Sequence, residues 1–372
     1  MKRLFTPAAL SAALALSFAP ATGAWAANIT ITNPPTAVVG HNVCGNSDDA
    51  AQGDCAQING DAGNTVTIGS GVTLGNHGVY GRLDTSGTVA TTATGNTLHF
   101  SGTVAPGYSI NGGYAYSTAD SLNATANGNT VLMAGGGAGY LQGGFAECQD
   151  HCTAEASNNT VTITGGTVSS NSGIYGGRAY LPIGSSSVGI ASNNTVEIKG
   201  SANINTTSDL AGGGLYGGAS GSSTGNTLEL YIKGVTVRHL YSFQNLNFHV
   251  PATLAAGQTM LAASYLAELG ASAPALGVGV EAGSPLKVGD EIVLIDAGAG
   301  SLTGTLPTTV TSLTPGYTFD VVSATNQLRV KVLTAPVKTT SSAAAVPTLG
   351  ETALALLALL LAGGAMAAMR RR

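Results

Sequence analysis

Asn159-Thr160-Val161-Thr162-Ile163-Thr164-Gly165-Gly166-Thr167-Val168, followed by Ile174-Tyr175-Gly176-Gly177, is the phrase whose reading decides the fold. Its opening recurs as Asn64-Thr65-Val66, Asn96-Thr97-Leu98, Asn129-Thr130-Val131, Asn194-Thr195-Val196 and Asn226-Thr227-Leu228. Successive threonines stand 32, 33, 30, 35 and 32 residues apart. A period of that size marks a solenoid, in which one supersecondary unit stacks on copies of itself. The question then becomes what a long repetitive surface touches.

Within each copy the apolar residues alternate. Val66/Ile68, Leu98/Phe100, Val131/Met133, Val161/Ile163, Val196/Ile198 and Leu228/Leu230 fall on one face. Thr67, His99, Leu132, Thr162, Glu197 and Glu229 lie between them, and all but Leu132 suit water. Period two with one apolar face is the signature of a half-buried strand. A second phrase follows: Val79-Tyr80-Gly81, Ile110-Asn111-Gly112-Gly113, Leu141-Gln142-Gly143-Gly144, Ile174-Tyr175-Gly176-Gly177 and Leu215-Tyr216-Gly217-Gly218, decaying into Leu240-Tyr241-Ser242. There the apolar residue enters the core and the tyrosine or polar residue points out. The glycines supply a positive φ or a close backbone approach. The variable Ser-, Ala- and Gly-rich stretch after each glycine pair reads as an outward loop. The repeated asparagine serves either a side-chain ladder or a turn.

The expected fold is all-β, a right-handed parallel β-helix of about six coils over 63–233. One or two coils per repeat both fit the spacing. An N-terminal cap at 27–62 precedes it and carries the Cys44/Cys55 loop. From 234 the period is lost, and longer strands predict a β-rich C-terminal cap at 234–334 that seals the open core. A small polar linker, 335–345, follows.

The ends set the address. Lys2 and Arg3, an apolar stretch from Leu4 to Ala19 and the small-residue site Ala24-Trp25-Ala26 make 1–26 a secretory signal peptide, with cleavage by signal peptidase after Ala26. At the other end 352–369 is uncharged and runs into Arg370-Arg371-Arg372. That predicts a transmembrane helix held in the inner membrane, at least transiently, with the arginines cytoplasmic. Val346-Pro347-Thr348-Leu349 and Glu351 stand just before it. This three-part tail, 346–372, resembles the IPTL-CTERM sorting signal of Gram-negative bacteria. Gly350, Thr352 and Ala353 depart from the Ser, Trp and Gly of that pattern. The resemblance implies a C-terminal sorting protease or transpeptidase as partner. It also implies display at the cell surface or in the extracellular matrix; the alternative reading of the apolar tail is a permanent membrane anchor facing the periplasm. The repeats over 63–233, with the closing segment after them, are similar to the passenger repeats of autotransporter adhesins. That likeness implies adhesion to a cell-surface or glycan ligand.

Composition narrows the partners. Removing Lys2, Arg3 and Arg370–Arg372 from the 14 basic residues, and Glu351 from the 19 acidic ones, leaves 9 and 18, a net of −9. That balance speaks against nucleic acid. The four cysteines form two local pairs, and the short loops predict disulfides Cys44–Cys55 and Cys148–Cys152 in an oxidising compartment. His151 inside the second pair is the weak case for a metal site. No cofactor, metal or catalytic residue is expected, and the protein reads as a non-enzyme. The alternatives are a carbohydrate-active β-helix enzyme and an inert structural matrix protein. A glycosidase needs two carboxylates across one groove, and only Glu197 and Glu229 share a strand phase on adjacent copies. The outward Tyr80, Tyr175 and Tyr216 serve either to stack on sugars or to pack on neighbours.

Overall fold

The computed structural model describes residues 28–31, 42–44, 63–86, 88–169, 173–204, 208–217, 220–336, 350 and 354–361. The chain divides into two compact units, Met1–Ala335 and Pro336–Arg372. The first is a right-handed, mostly parallel β-solenoid of about eight turns.

The Asn-Thr phrases build one wall. Thr65–Ile68, Thr97–Phe100, Thr130–Met133, Thr160–Ile163, Thr195–Ile198 and Thr227–Leu230 lie side by side in a ten-stranded sheet. Thr65 pairs with Thr97, Thr97 with Thr130, and Thr130 with Thr160. Each repeat is therefore one coil, which resolves the choice left open by the spacing. Every inward residue of these strands is essentially inaccessible, from Val66 to Leu230. They form aliphatic ladders, and a one-residue slip would move the whole set to the solvent face.

The second phrases build the opposite wall, a thirteen-stranded sheet that includes Ser109–Ser117, Tyr140–Glu147, Gly173–Tyr180 and Asp209–Tyr216. In the last of these the register puts Leu210 beside Ile174, Ala211 beside Tyr175 and Gly213 beside Gly177. The true copy is Leu210-Ala211-Gly212-Gly213, and Leu215-Tyr216 stands five residues further along, with Tyr216 beside Tyr180. Ala211 in place of tyrosine hid it.

The asparagines form a continuous buried ladder. Asn64 Nδ2 donates to Asn96 Oδ1 (3.0 Å), Asn96 to Asn129 (2.8 Å), Asn129 to Asn159 (3.0 Å), Asn159 to Asn194 (3.1 Å) and Asn194 to Asn226 (3.1 Å). The same oxygens accept the backbone N–H of the preceding asparagine, at 2.8–3.1 Å. Gln244 Oε1 ends the series by accepting from the Asn226 N–H at 3.0 Å. One amide per coil thus satisfies two buried donors of the coil before it, as buried polar groups require.

This ladder explains the glycines. A Cβ on Gly112 would lie 2.8 Å from the Asn129 Cβ, and one on Gly143 2.7 Å from the Asn159 Cβ. A Cβ on Gly144 would lie 2.6 Å from Asn159 Nδ2 and would also strike the Ala126 carbonyl. None of these glycines has a positive φ. Close approach, not backbone freedom, selects glycine here.

Both glycines of a pair face inward, so the wall is pinched at the asparagines and each coil has two lobes. The stretches expected to be outward loops are the wall of the second lobe. Thr91–Thr92, Ala124–Thr125, Thr153–Glu155, Val188–Ile190 and Ser220–Ser222 form a five-stranded sheet in that order. Ala93, Ala115, Ala124, Ala126, Ala146, Ala154, Ala156 and Ala179 fill a narrow core behind it, with Cys148, Cys152 and Leu181. Alanine carries too little hydrophobic contrast for its alternation to show in sequence.

The segment 234–334 is not a separate cap. Asn245–Val250 and Ala275–Val280 continue the Asn-Thr wall in parallel register, with Leu228 beside Leu246 and Phe248 beside Val278. Val235–Tyr241 and Thr259–Glu268 continue the other wall. These coils raise the count above the expected six because they keep the inward apolar residues while dropping the Asn-Thr phrase. Only the end is a closure: Gln327–Thr334 runs antiparallel to both Glu291–Asp296 and Thr318–Ala324.

In the second unit residues 354–361 are helical. Among the described residues no helix is long and apolar enough to cross a membrane. The rest of the expected 352–369 span lies outside them. So do the signal peptide with Ala24 and Ala26, most of the cap at 27–62, and the tail residues Val346, Pro347, Thr348, Leu349, Glu351, Arg370, Arg371 and Arg372.

Candidate functional site

Among the described residues, the outward side of the pinched wall gathers aromatic, amide and charged side chains. Across each glycine pair the outward residues converge, because the wall folds in behind them. One row, in strand register, is Tyr80, Asn111, Gln142, Tyr175, Ala211 and Tyr241. Beyond the glycines the next row is Leu83, Tyr114, Phe145, Arg178 and Gly214. A third is Thr85, Tyr116, Glu147, Tyr180 and Tyr216.

The rings pack on one another. Tyr80 meets Tyr114 edge to face at 5.8 Å, Tyr114 meets Phe145 at 4.8 Å, and Tyr175 meets Tyr216 edge to face at 6.1 Å. Packing is thus the role of Tyr80 and Tyr175 within the chain, and Tyr175 is only 3% exposed. The Arg178 guanidinium stands among five rings, 4.3 Å from the Tyr216 centroid, 5.2 Å from Phe145 and 5.3 Å from Tyr175, with Tyr140 and Tyr180 at the margin. Such contacts favour a cation.

Hydrogen bonds knit the far end. Tyr175 Oη donates to Asp209 Oδ2 (3.3 Å), Tyr216 Oη to Tyr175 Oη (3.0 Å), and Tyr216 and Tyr241 share a further hydroxyl contact. Asp209 Oδ1 lies 2.6 Å from His239 Nδ1. Burial, then the neighbouring phenols and Asp209, push the Tyr175 and Tyr241 hydroxyls far above their ordinary range. Tyr114 rises through burial and the adjacent Glu147, to which it donates at 3.3 Å. Burial also raises the Glu147 carboxyl, against the hydrogen bond from Tyr114 and the charge of Arg178.

Some polar groups beneath these rings have nothing to bond. Asn111 is 1% exposed, and neither its Nδ2 nor its Oδ1 has a partner among the described residues. The buried Gln142 Oε1 and Arg178 Nε are likewise unpartnered.

The opposite, Asn-Thr wall holds the two carboxylates that share a strand phase. Glu197 and Glu229 are in register on adjacent coils. Glu197 accepts from Lys199 Nζ at 2.8 Å and from Thr162 Oγ1 at 3.1 Å. Glu229 accepts from Asn247 Nδ2 at 2.7 Å and meets His249 Nε2 at 2.8 Å. Burial works to raise Glu229, but the hydrogen bonds from His249 and Asn247 outweigh it and hold the carboxyl below its usual range. His249 in turn stacks on Tyr231 at 3.9 Å. A cleft of about 660 Å³ opens alongside, lined by Lys199, Tyr231, Lys233, Pro251, Thr253 and Glu281 among others.

Cys148 and Cys152 are disulfide-bonded. Both cysteines belong to the alanine core, so the bridge ties two walls of the second lobe. His151 pairs with Asp150 at 3.1 Å. Cys55, and the Cys44–Cys55 pairing with it, lies outside the described residues, while Cys44 is buried at the wall edge beside Tyr80. Among the described residues no three His, Cys, Asp or Glu side chains gather as a metal site would need.

Sequence reading found Tyr80, Tyr175 and Tyr216 on this wall but missed Tyr114, Phe145, Glu147 and Arg178. Their signal was present: each stands one to three residues past a Gly-Gly pair. The parity change at the paired inward glycines concealed which face they share.

The C-terminal residues 344–371 match the IPTL-CTERM motif. No curated protein and no solved structure matches the chain. A β-solenoid that ends in an IPTL-CTERM sorting signal has the layout of an exported surface protein, one handled by a sorting machinery.

Proposed function

We propose that this protein is a non-enzymatic, adhesin-like solenoid, displayed at the cell surface or in the extracellular matrix, that engages its target through the aromatic outer face of the pinched wall. The observation that carries the reading is the run of Tyr, Phe and Arg side chains in register over successive coils, on a chain otherwise poor in charge and aromatics. Aromatic residues and arginine are the side chains most often found to dominate recognition surfaces. The test is attachment of cells displaying the protein to surfaces. Tyr116→Ser/Tyr180→Ser should abolish attachment while surface amount stays constant; unchanged attachment would refute the assignment of the face.

The tail supplies the route. Six leucines of 354–361 are more than half exposed, and a helix apolar on all sides belongs in a membrane or a partner. In this reading the tail is held in the inner membrane with Arg370 to Arg372 inside. A sorting protease or transpeptidase then removes it near Val346-Pro347-Thr348-Leu349. Intact mass of the surface form decides this: a mature protein that still ends in three arginines and fractionates with inner membrane would show a permanent anchor.

The register of Glu197 and Glu229 supports a second reading, a carbohydrate-active enzyme. Depolymerisation of a polysaccharide by the exported protein, lost in Glu229→Gln, would establish it.

A further inference from the structure

We propose that the crease of the pinched wall around Arg178 binds a carboxylated saccharide. The proposal rests on reading this wall as the interaction face and names the ligand class.

The guanidinium is the first argument. Arg178 is half-buried among rings, its Nε is unpartnered, and no carboxylate reaches ion-pair distance among the described residues. The other arginines of the solenoid whose ion pairs are visible, Arg82 and Arg329, each have a carboxylate at 3.1 and 3.3 Å. A guanidinium with no carboxylate at ion-pair distance among the described residues presents a fork that fits one carboxylate by two parallel hydrogen bonds. The amides are the second argument. Asn111 and Gln142 sit in the row facing Arg178 across the glycines and keep unspent hydrogen-bonding atoms. Leaving such a group buried and unsatisfied costs about 1–3 kcal/mol, and sugar hydroxyls that reach these amides once the overlying rings part can donate to and accept from them. The rings are the third, since Tyr140 and Tyr180 border the guanidinium and offer apolar faces to the C–H side of a sugar ring.

Charge selects among anions. A phosphate polymer needs a cluster of cations, whereas Arg178 is the one guanidinium among these five rings, on a wall that also carries Glu147 and Asp209. A single carboxylate on an otherwise neutral ring meets one guanidinium with less repulsion from those acids than a polyanion would.

The test titrates the full-length protein, purified in detergent, with four probes: trigalacturonic acid, its methyl ester, sialyllactose and lactose. At least one acid should bind, at least tenfold more tightly than its ester or neutral counterpart, and more weakly in high salt. Preference for the uronate would identify a polysaccharide chain as the source, and preference for sialyllactose a terminal cell-surface sugar. Arg178→Gln should lose at least tenfold and Arg178→Lys should lose less. If neither acid binds, or acid and ester bind alike, the proposal is overturned; this arm uses the unmutated protein and does not depend on a variant folding. Equal binding by a folded Arg178→Gln would overturn it as well. Should attachment still depend on Tyr116 and Tyr180 while neither acid binds, the ligand class falls and the interaction face stands. Should attachment ignore those residues, the face itself falls.

Discussion

The coils before and after Gly234 solve the same problem differently. Before it, each turn is two-lobed, with an aliphatic core on one side of the asparagine ladder and an alanine core on the other. After it, the ladder, the glycine pairs and the five-stranded sheet all disappear together. The step from Thr227 to Asn245 is only 18 residues, and Gln244 closes the ladder at that step. The later coils keep large inward residues: Phe243, Phe248, Met260 and Leu261 are all buried. A waist in a coil brings two backbones together, and backbones that close need both a partner for their N–H groups and the absence of a Cβ. Asparagine and glycine are two halves of one device, and a coil without a waist needs neither.

That comparison can be broken in four ways, given from the largest effect to the smallest. Val161→Asp buries an unpaired charge between Val131 and Val196, and should cost more than about 4 kcal/mol, enough to unfold the two-lobed coils in a denaturant melt. The outward Thr162→Asp sets a carboxylate beside Glu197, to which Thr162 donates, so a loss of only about 0.5–1 kcal/mol is expected. Equal losses would refute the inside/outside assignment.

Asn159→Ala strips acceptors from both the N–H and the Nδ2 of Asn129 and should cost about 2–5 kcal/mol. Gln244→Ala frees only the Asn226 N–H, and should cost about 1–2 kcal/mol. Hydrogen exchange would locate the first effect across neighbouring coils and confine the second to the step. A mid-ladder change no worse than the terminal one would show that the ladder is not cooperative.

Cys148→Ser/Cys152→Ser opens a short loop in the alanine core, with an expected loss of about 2 kcal/mol. Protection of the coils after Gly234 should be unchanged, because the bridge lies wholly in the second lobe. The smallest effect is a pH dependence at the step. The Glu229 carboxyl is lowered by His249 and Asn247. Its contribution is therefore complete above the ordinary carboxylate pKa and is lost as pH falls through the lowered value. Thermal melts of Glu229→Gln should lack that part of the acid destabilisation shown by the parent.

Much of this was legible in the chain. The inward ladders from Val66 to Leu230 follow from alternation alone, because strand geometry sends every second residue to the same face. The asparagine period fixed the stacking direction, and the tail was readable because a sorting signal is recognised as a linear motif. The second lobe was not legible, since Ala124, Ala154 and their neighbours barely differ from loop residues in hydrophobicity. Nor was the continuation past Gly234, where Asn245 and Ala275 keep the register without the phrase.

What the sequence by itself determined is the repeat: its period, its inward residues and its exported layout, all carried by local spacing. What only the tertiary structure decided is the waist and everything that depends on it. Two consecutive inward glycines invert the parity of the strand, so Asn111 and Arg178 come to share one crease although alternation alone would set them on opposite faces. That inversion arises from the contact of one coil's glycines with the asparagine of the following Asn-Thr strand, a long-range relation that no local pattern encodes.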